Sequence, residues 1–501
     1  MIRPLTALLA SSAIALLCLS PLRAETTSPG LQARIDALLP EAGQHGFELG
    51  LLQLLRGVEK SLQTRYATGL GDTLLRGPLM RIDVKSNPRQ GPDAAPPETI
   101  ANIFRTFMDD LAQAQTHLGQ TIGADAQPFD LTLQDLWFDV DADGQRGADE
   151  GVVETLGPLI LSRRDLKAFA ASEAAKTPIT IRFDAADHAW LSAYTYMLSG
   201  FGNAFLAFDP TPVLADLAAG RAALKDAPEL PAYYDPVALE AEIASLEAED
   251  NALLPRIDAL EKQEELARDQ QATLRKQAKA TEDAAQKQAL TEKAEALDAE
   301  LEPVSKARGD LRRQQWQIRR EIEAAKAKLP GAAPRRSFGM EREIDLLYAV
   351  LTSLRQQPDA ARLRAAREDW REMIAQNRLF WAALAAETDN DREWIANANQ
   401  SSALPITIPE GAPEAWQKVL SDAEAVLEGK LLIPHPLLPD GYGISLAAYL
   451  ENPGPIDVLD WIRGRGAYPY AARGPMITQH YWNAFARMTN GNAAGFALFF
   501  N

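Results

Sequence analysis

The segment from residue 236 to 329 constrains the fold more than any other part of this sequence. Glycine is almost absent from it, and Ala, Glu, Lys, Gln and Leu predominate. Positions spaced alternately by four and three residues are mostly apolar: nine of twelve are Leu, Ile or Ala from 239 to 278, and ten of twelve are apolar from 290 to 329. This period is typical of helices that pack along a common seam.

The seam changes phase in the middle of this segment. The gap of 12 residues between positions 278 and 290 does not fit a heptad repeat. Residues 281–283, Thr-Glu-Asp, supply side chains that cap helices at the break. We therefore predict an antiparallel coiled-coil hairpin over 236–330 with its tip near 281–288. The alternative is one long helix that forms a parallel dimer.

Two prolines interrupt the predicted arms of the hairpin. Proline removes a backbone hydrogen bond and clashes with the preceding turn of a helix. We therefore expect Pro255 and Pro303 to kink the arms or to break them into shorter helices.

The rest of the chain shows helical periodicity, so the predicted fold class is mainly α with little or no β. Only residues 131–140 and 178–184 have the pattern of strands. A linker at 331–334 follows the hairpin. We expect the hairpin to be inserted into one helical domain whose halves are 25–235 and 335–501. The predicted helices of that domain cover residues 47–66, 97–118, 151–172, 185–208, 211–224 and 339–387.

The N-terminus has the features of a secretory signal peptide, residues 1–24. Arg3 precedes an uncharged apolar stretch from Leu5 to Leu19, and Ala24 ends a suitable cleavage site before Glu25. The stretch is shorter than the roughly 20 residues of a transmembrane helix. The sequence therefore predicts a periplasmic or secreted protein after cleavage near Ala24. An uncleaved anchor and a lipoprotein attached at Cys18 are the alternatives.

Charge and cysteine content exclude several classes of function. The chain has 51 basic and 69 acidic residues, and such a surface repels nucleic acid and anionic lipid. Cys18 is the only cysteine and leaves with the signal peptide, so the mature chain has no thiol chemistry and no disulfides. The apolar residues 189–208 include six polar or glycine residues and have acidic flanks, so we predict a buried helix and no transmembrane span in the mature chain.

Residues 139–150, Asp-Val-Asp-Ala-Asp-Gly-Gln-Arg-Gly-Ala-Asp-Glu, carry oxygen ligands at the spacing that Ca²⁺ requires. Such a loop needs ligands at its positions 1, 3 and 5, a turn glycine at 6, a backbone carbonyl at 7 and a bidentate acid at 12. Gly144 occupies the sixth position. The predicted ligands of one structural Ca²⁺ are Asp139, Asp141, Asp143, Gln145 and Glu150.

This stretch of twelve residues resembles the calcium-binding loop of EF-hand proteins. It departs from that pattern at Arg146, where an aliphatic residue is usual, and at Gly151, directly after the loop. The resemblance implies a calcium site, and the departures argue against a paired, switching EF-hand. The alternative is an acidic surface turn without an ion.

Other candidate groups give weaker signals. Residues 389–394 form a second acidic cluster, which we interpret as a solvated loop with Trp394 buried; a carbohydrate or cation site is the alternative. Asp184 precedes a helix and is interpreted as its N-cap rather than as an acid–base group. The five histidines have no metal-binding spacing.

The sequence favours a non-catalytic role. We expect an exported calcium-binding scaffold or binding protein of the cell envelope, which holds a protein partner through the hairpin or through the aromatic C-terminal region. The alternative is a periplasmic hydrolase or lyase that acts on a polysaccharide with carboxylate acid–base groups, for which aromatic residues between 461 and 500 would serve as sugar platforms.

Overall fold

A computed structural model describes a large part of the chain. The described residues are 28–70, 79–85, 87, 89–90, 95–120, 128–160, 178–225, 235–329, 341–404, 408–489, 493 and 496–497. The expected signal peptide and the linker at 331–334 lie outside them. So does the second half of the helix expected over 151–172.

The chain is mainly helical with small antiparallel sheets, as the sequence predicts. The helices before the hairpin are α1 (Leu31–Leu38), α2 (Ala42–Thr68), α3 (Thr99–Gln120), α4 (Val152–Ile160), α5 (Ala185–Ala207) and α6 (Thr211–Lys225). The hairpin consists of α7 (Pro236–Ala280) and α8 (Ala284–Lys326). The helices after it are α9 (Glu341–Leu354), α10 (Ala360–Ala386), α11 (Ala412–Leu427), α12 (Leu446–Glu451), α13 (Val458–Ile462) and α14 (His480–Met488).

Two small sheets accompany the helices among the described residues. One pairs β1 (Phe129–Thr132) with β2 (Thr180–Phe183) antiparallel, and it places Phe129 opposite Phe183. The other has the order β3 (Ile433–Pro434), β4 (Tyr442–Ile444) and β5 (Ala471–Arg473). The strand expected over 178–184 is therefore present. In the region expected as a strand over 131–140, the start pairs with β2, and Trp137 forms an isolated antiparallel bridge with Gly151.

Internal contacts divide the chain into two units. The body comprises the described residues up to 222 and from 342 onward, and the hairpin unit comprises those between 223 and 341. The body therefore contains chain segments from both sides of the hairpin.

Helix α5 lies at the centre of the body's core. It packs along α10 and against α3, and α3 in turn packs against α2. A Cβ atom on Gly200 would collide with the ring of Trp370, and one on Gly202 would collide with the sulfur of Met108. These glycines allow α10 and α3 to approach α5 closely, so their side chains exclude water from the apolar residues of α5.

The N-terminus of α5 confirms the capping role expected for Asp184. Its side chain accepts hydrogen bonds from the backbone N–H groups of Ala186 and Asp187, and the Asp187 side chain accepts one from the Asp184 N–H. This reciprocal arrangement satisfies N–H groups that a helix start otherwise leaves unpaired. Among the described residues, no helix combines the length and apolarity needed to cross a membrane.

In the hairpin unit, α7 and α8 pack antiparallel. The turn between them covers residues 281–283, and Asp283 caps α8 by accepting the N–H groups of Ala285 and Gln286. Near the chain ends of the hairpin the seam is apolar, with buried Leu, Ile and Ala side chains. Ion pairs that join the two helices in opposite order are Glu247–Lys326, Asp250–Arg319, Glu261–Arg312 and Arg275–Asp298.

The expected break at the prolines was wrong. Both Pro255 and Pro303 lie inside continuous helices. Each proline removes one backbone hydrogen bond, but the neighbouring helix packs against the same turns along the seam. Buried Leu253 and Ile257 flank Pro255, and their packing against α8 favours the continuous helix.

Candidate metal site

The loop over residues 139–150 is closed at its base by antiparallel backbone pairing. The N–H of Phe138 donates to the carbonyl of Glu150 at 2.7 Å, and the N–H of Val152 donates to the carbonyl of Leu136 at 3.1 Å. The loop therefore begins and ends at one place in the body, and α4 starts immediately after it.

Three of the predicted ligands converge inside the loop. Asp139, Asp141 and Asp143 each place one carboxylate oxygen within 4.8 Å of the other two. Gly144 has a φ of 75° and donates its N–H to Asp139 Oδ2 at 3.1 Å. The positive φ folds the chain back toward its first residue, which is the role that the sequence predicts for a glycine at this position.

One carboxylate oxygen of Asp139 lacks a hydrogen-bond partner in the described part of the chain. Its Oδ1 is buried and accepts no hydrogen bond from the described residues. A buried carboxylate oxygen without a donor or cation costs free energy, since it has lost its water and gained nothing in return. The arrangement fits an oxygen atom that binds a cation.

Helix α2 fixes the first residue of the loop. Glu59 accepts the N–H of Asp139 at 2.8 Å, and Gln63 donates to the carbonyl of Asp139 at 2.7 Å. Burial raises the pKa of Glu59, and the hydrogen bonds from Asp139 and Arg56 oppose that rise. Sequence reasoning missed Glu59 and Gln63. The only signal was a charged residue within the apolar stripe of α2.

Glu150 does not join the three converging carboxylates in this structure. Its Oε1 accepts the N–H of Val140 at 3.0 Å, and its Oε2 accepts the N–H of Gly147 at 2.6 Å. Gln145 follows the turn glycine and donates its N–H to Asp143 Oδ1 at 2.7 Å. The carboxylate of Glu150 therefore lies across the loop, held by the loop's own backbone.

The segments around the loop differ from those of a standard EF-hand. Helix α4 leaves the loop, but the entering segment is a short 3₁₀ turn, Leu133–Asp135, followed by extended residues. Arg146 donates to the carbonyl of Gln134 at 2.7 Å, so its side chain binds the entering segment. This contact gives Arg146 a structural role at the position where the resemblance predicts an aliphatic residue.

A second group of carboxylates forms where α5 begins and α10 ends. Asp184, Glu387 and Glu393 place carboxylate oxygens within 4.8 Å of one another, and so do Asp389, Asp391 and Glu393. Glu393 is only 2% exposed. The expectation of a solvated loop over 389–394 is therefore wrong for Glu393.

Burial and mutual repulsion raise the pKa values of several carboxyl groups in and beside this second group. Burial, followed by the charge of Asp184, raises the pKa of Glu387 to about 8. The pKa of Asp187, which is fully buried beside these groups, is raised well above its usual range, mainly by burial. Burial also raises the pKa of Glu393. The group is therefore partly protonated at neutral pH.

Two arginines neutralise only the outer edge of the group. Arg182 binds Asp391 at 3.0 Å and Asp130 at 3.2 Å, and Arg392 binds Asp130 at 2.8 Å. Neither arginine forms an ion pair with Glu387 among the described residues. Bound protons, rather than cationic side chains, therefore reduce the negative charge of the inner carboxylates.

The structure thus brings Asp139, Asp141 and Asp143 together, holds Glu150 and Gln145 in the same loop, and reveals a second carboxylate group that the sequence did not link. The residues of that second group are about 200 positions apart in the chain, so no local motif connects them. Comparisons with protein-family models, with curated proteins and with solved structures found no match to this chain.

Proposed function

We propose that the loop over 139–150 binds one structural Ca²⁺ in an exported, non-catalytic scaffold or binding protein of the cell envelope. The observation that carries the calcium site is the buried, unpartnered Oδ1 of Asp139 beside two further carboxylates. Three negative charges at this separation repel each other, and a divalent cation among them removes that repulsion.

The spacing of the oxygen atoms suits calcium. Ca²⁺ binds oxygen at about 2.3–2.6 Å, so ligands on opposite sides of the ion lie about 5 Å apart. The three carboxylate oxygens lie within 4.8 Å of one another, so a single ion can contact all three. To act as the bidentate ligand, Glu150 has to exchange the N–H groups of Val140 and Gly147 for the ion.

We expect saturating calcium to raise the melting temperature of the protein, because an ion that binds only the folded state stabilises it by mass action. An affinity on the order of 10⁻⁴–10⁻³ M is typical of extracellular modules. Asp141→Ala and Glu150→Ala should abolish the calcium-dependent increase, while Asp149→Ala should retain it. The measurement is a thermal melt of each variant with calcium and with chelator.

For each variant, the quantity to compare is the difference between its melting temperatures with calcium and with chelator. Glu150→Ala also removes hydrogen bonds to loop amides, so its melting temperature falls without calcium as well. Asp141→Ala is the cleaner variant, because among the described residues the Asp141 side chain accepts only one long hydrogen bond, from the N–H of Asp143 at 3.3 Å. A wild-type melt that does not respond to millimolar calcium contradicts the proposal.

The hairpin unit supports the scaffold role. Trp316 is 59% exposed on α8 with the guanidinium of Arg320 over its ring, and Leu266 is 64% exposed on α7. Trp and Arg side chains are enriched among the residues that contribute most to protein binding. We propose that a protein partner binds the hairpin at these positions.

A photo-crosslinking amino acid at position 316 tests this partner site in intact cells. We expect a discrete crosslinked species from position 316 and none from the exposed position 410 on the body. The crosslinked form of this chain should be found in the periplasmic fraction. Mass spectrometry should find Glu25 as the first residue of this chain. Equal crosslinking from both positions, or a protein that begins at Met1, contradicts the assignment.

The alternative of a polysaccharide hydrolase or lyase receives less support. The second carboxylate group contains a residue with a raised pKa, Glu387, as an acid–base enzyme requires. However, Asp187 and Glu393 are 4% and 2% exposed, so a polysaccharide does not reach their carboxylates. The most buried acids of the group are thus closed to a polymer, and we retain the non-catalytic proposal.

A further inference from the structure

A polar pocket of about 510 Å³ lies in the body, away from both carboxylate groups. Its walls come from three segments: Arg105 of α3, the turn between α5 and α6, and the turn from α9 to the start of α10. Its volume lies within the range of pockets that hold small molecules. Its polar lining includes Arg105, Asp209, Gln356, Asp359 and Arg362.

Among the described residues, Arg362 has no anionic partner in the pocket and the side-chain nitrogen of Gln356 has no acceptor. Arg362 donates to Asn203 Oδ1 at 3.3 Å, and no carboxylate among the described residues forms an ion pair with it. The side-chain nitrogen of Gln356 is buried and has no hydrogen-bond partner in the described part of the chain. A buried donor without an acceptor is costly, so the pocket is incomplete without a ligand that accepts hydrogen bonds.

The acidic residues of the pocket are already engaged. Asp209 pairs with Arg105 and accepts the N–H of Thr211 at 2.9 Å. Asp359 caps α10 by accepting the N–H groups of Ala361 and Arg362. Their remaining lone pairs accept hydroxyl groups, but their negative charges disfavour a ligand that carries two charges.

We propose that this pocket binds a hydroxylated monocarboxylate of the sugar-acid class. The ligand carboxylate binds the guanidinium of Arg362, whose planar fork matches a carboxylate. One ligand oxygen accepts the hydrogen bond of Gln356, and ligand hydroxyl groups donate to Asp209 and Asp359. The two carboxylates in the wall repel a ligand with a single negative charge less than they repel inorganic phosphate, which carries more negative charge.

The test compares D-glucuronate with D-glucose, which differs by a neutral CH₂OH group in place of the carboxylate. Isothermal titration of the full chain with each compound gives the two affinities, and inorganic phosphate serves as a third probe. We expect glucuronate to bind at least about tenfold more tightly than glucose, as the loss of a charged hydrogen bond implies. Glucuronate should also bind more tightly than phosphate.

Variants of two pocket residues and one control locate the binding. Arg362→Leu and Gln356→Leu should each weaken glucuronate binding, the first by about tenfold or more. Arg364→Leu, an exposed position on the same helix outside the pocket lining, should leave it unchanged. Gln356→Leu keeps the test valid if Arg362→Leu does not fold. The proposal is overturned by equal binding of glucuronate and glucose, by tighter binding of phosphate, or by unchanged binding in Gln356→Leu.

Discussion

Replacing Lys60 by methionine should lower the free energy of unfolding by about 3 kcal/mol. Asp110 of α3 has no exposed surface, and its Oδ1 accepts from Lys60 at 2.7 Å and from Gln53 at 2.7 Å. Removal of one partner of a buried ion pair leaves a buried charge without compensation, which costs about 3–5 kcal/mol. The Lys60 side chain is one-third exposed, so water reaches the site and the cost lies near the lower limit.

A double-mutant cycle separates this charge effect from lost packing. Asp110→Asn keeps the shape of the side chain and its bond from Gln53, but removes the charge. In that background Lys60→Met should cost less than about 1 kcal/mol, because no buried anion remains. Urea unfolding of the four proteins gives the coupling energy between the two residues. A coupling below about 0.5 kcal/mol would show that Asp110 does not depend on Lys60.

The hairpin shows how far periodicity alone predicts structure. Its buried residues on both helices all lie on the predicted four–three register: Leu239, Ile243, Leu253, Ile257, Glu264, Gln271, Ala278, Ala294, Gln315, Ile318, Ile322 and Ala325. The register follows from the helical repeat, which depends only on local geometry. It therefore predicts the buried positions even where the residue is polar.

Glu264 shows why such a position tolerates a charge. It is buried on the seam of α7, and both Arg268 of the same helix and Arg308 of α8 form ion pairs with it. A polar layer of this kind fixes the pairing of two helices more strictly than apolar residues do. The sequence indicated the position of Glu264 but not its partners, because Arg308 lies on the other arm.

The loop over residues 139–150 was predictable in its local geometry and unpredictable in its surroundings. The convergence of Asp139, Asp141 and Asp143 follows from their spacing around Gly144, since one left-handed residue turns the chain back. The support from Glu59 depends on the packing of α2 against the loop, about 80 residues away in the chain. Tertiary contacts of this kind leave no periodic signal in the sequence.

The second carboxylate group was missed for the same reason. Asp184 and Asp187 belong to the start of α5, whereas Glu387 and Glu393 follow α10. The sequence predicted both helices, and Asp184 as an N-cap, but not the close packing of α5 along α10. That packing depends on Gly200, which admits the ring of Trp370, and it brings the two acidic ends together.

This group should make the protein more stable at mildly acidic pH than at alkaline pH. Burial raises the pKa of Glu387 from 4.5 to about 8, so the folded state holds a proton between these values and the unfolded state does not. Stability therefore falls as the pH rises through this window. The raised pKa values of Asp187 and Glu393 act in the same direction.

Other charged groups at the site set the size of this dependence. Asp184 and Asp389 repel the ionised form of Glu387, and the arginines bind the outer acids. The Nε2 atom of His188 lies 3.1 Å from the carbonyl oxygen of Leu118, and burial lowers the pKa of His188. Burial of the neutral His188 ring makes the protein less stable on acidification, because the unfolded state takes up a proton before the folded state does. His188 therefore opposes the carboxylates only between its usual pKa of 6.5 and its lowered pKa.

Glu387→Gln should therefore raise the free energy of unfolding at pH 8 by about 1–2 kcal/mol and leave it almost unchanged at pH 5. A fully buried group with this pKa difference would contribute about 5 kcal/mol, but solvent screens the half-buried Glu387. The measurement is urea unfolding at both pH values in the presence of chelator, so that bound cations do not contribute. The exposed Glu410→Gln serves as the control and should change neither value. An equal effect of Glu387→Gln at both pH values would show that the residue stays ionised in the folded protein, because only a proton taken up between pH 5 and 8 gives stability this dependence on pH.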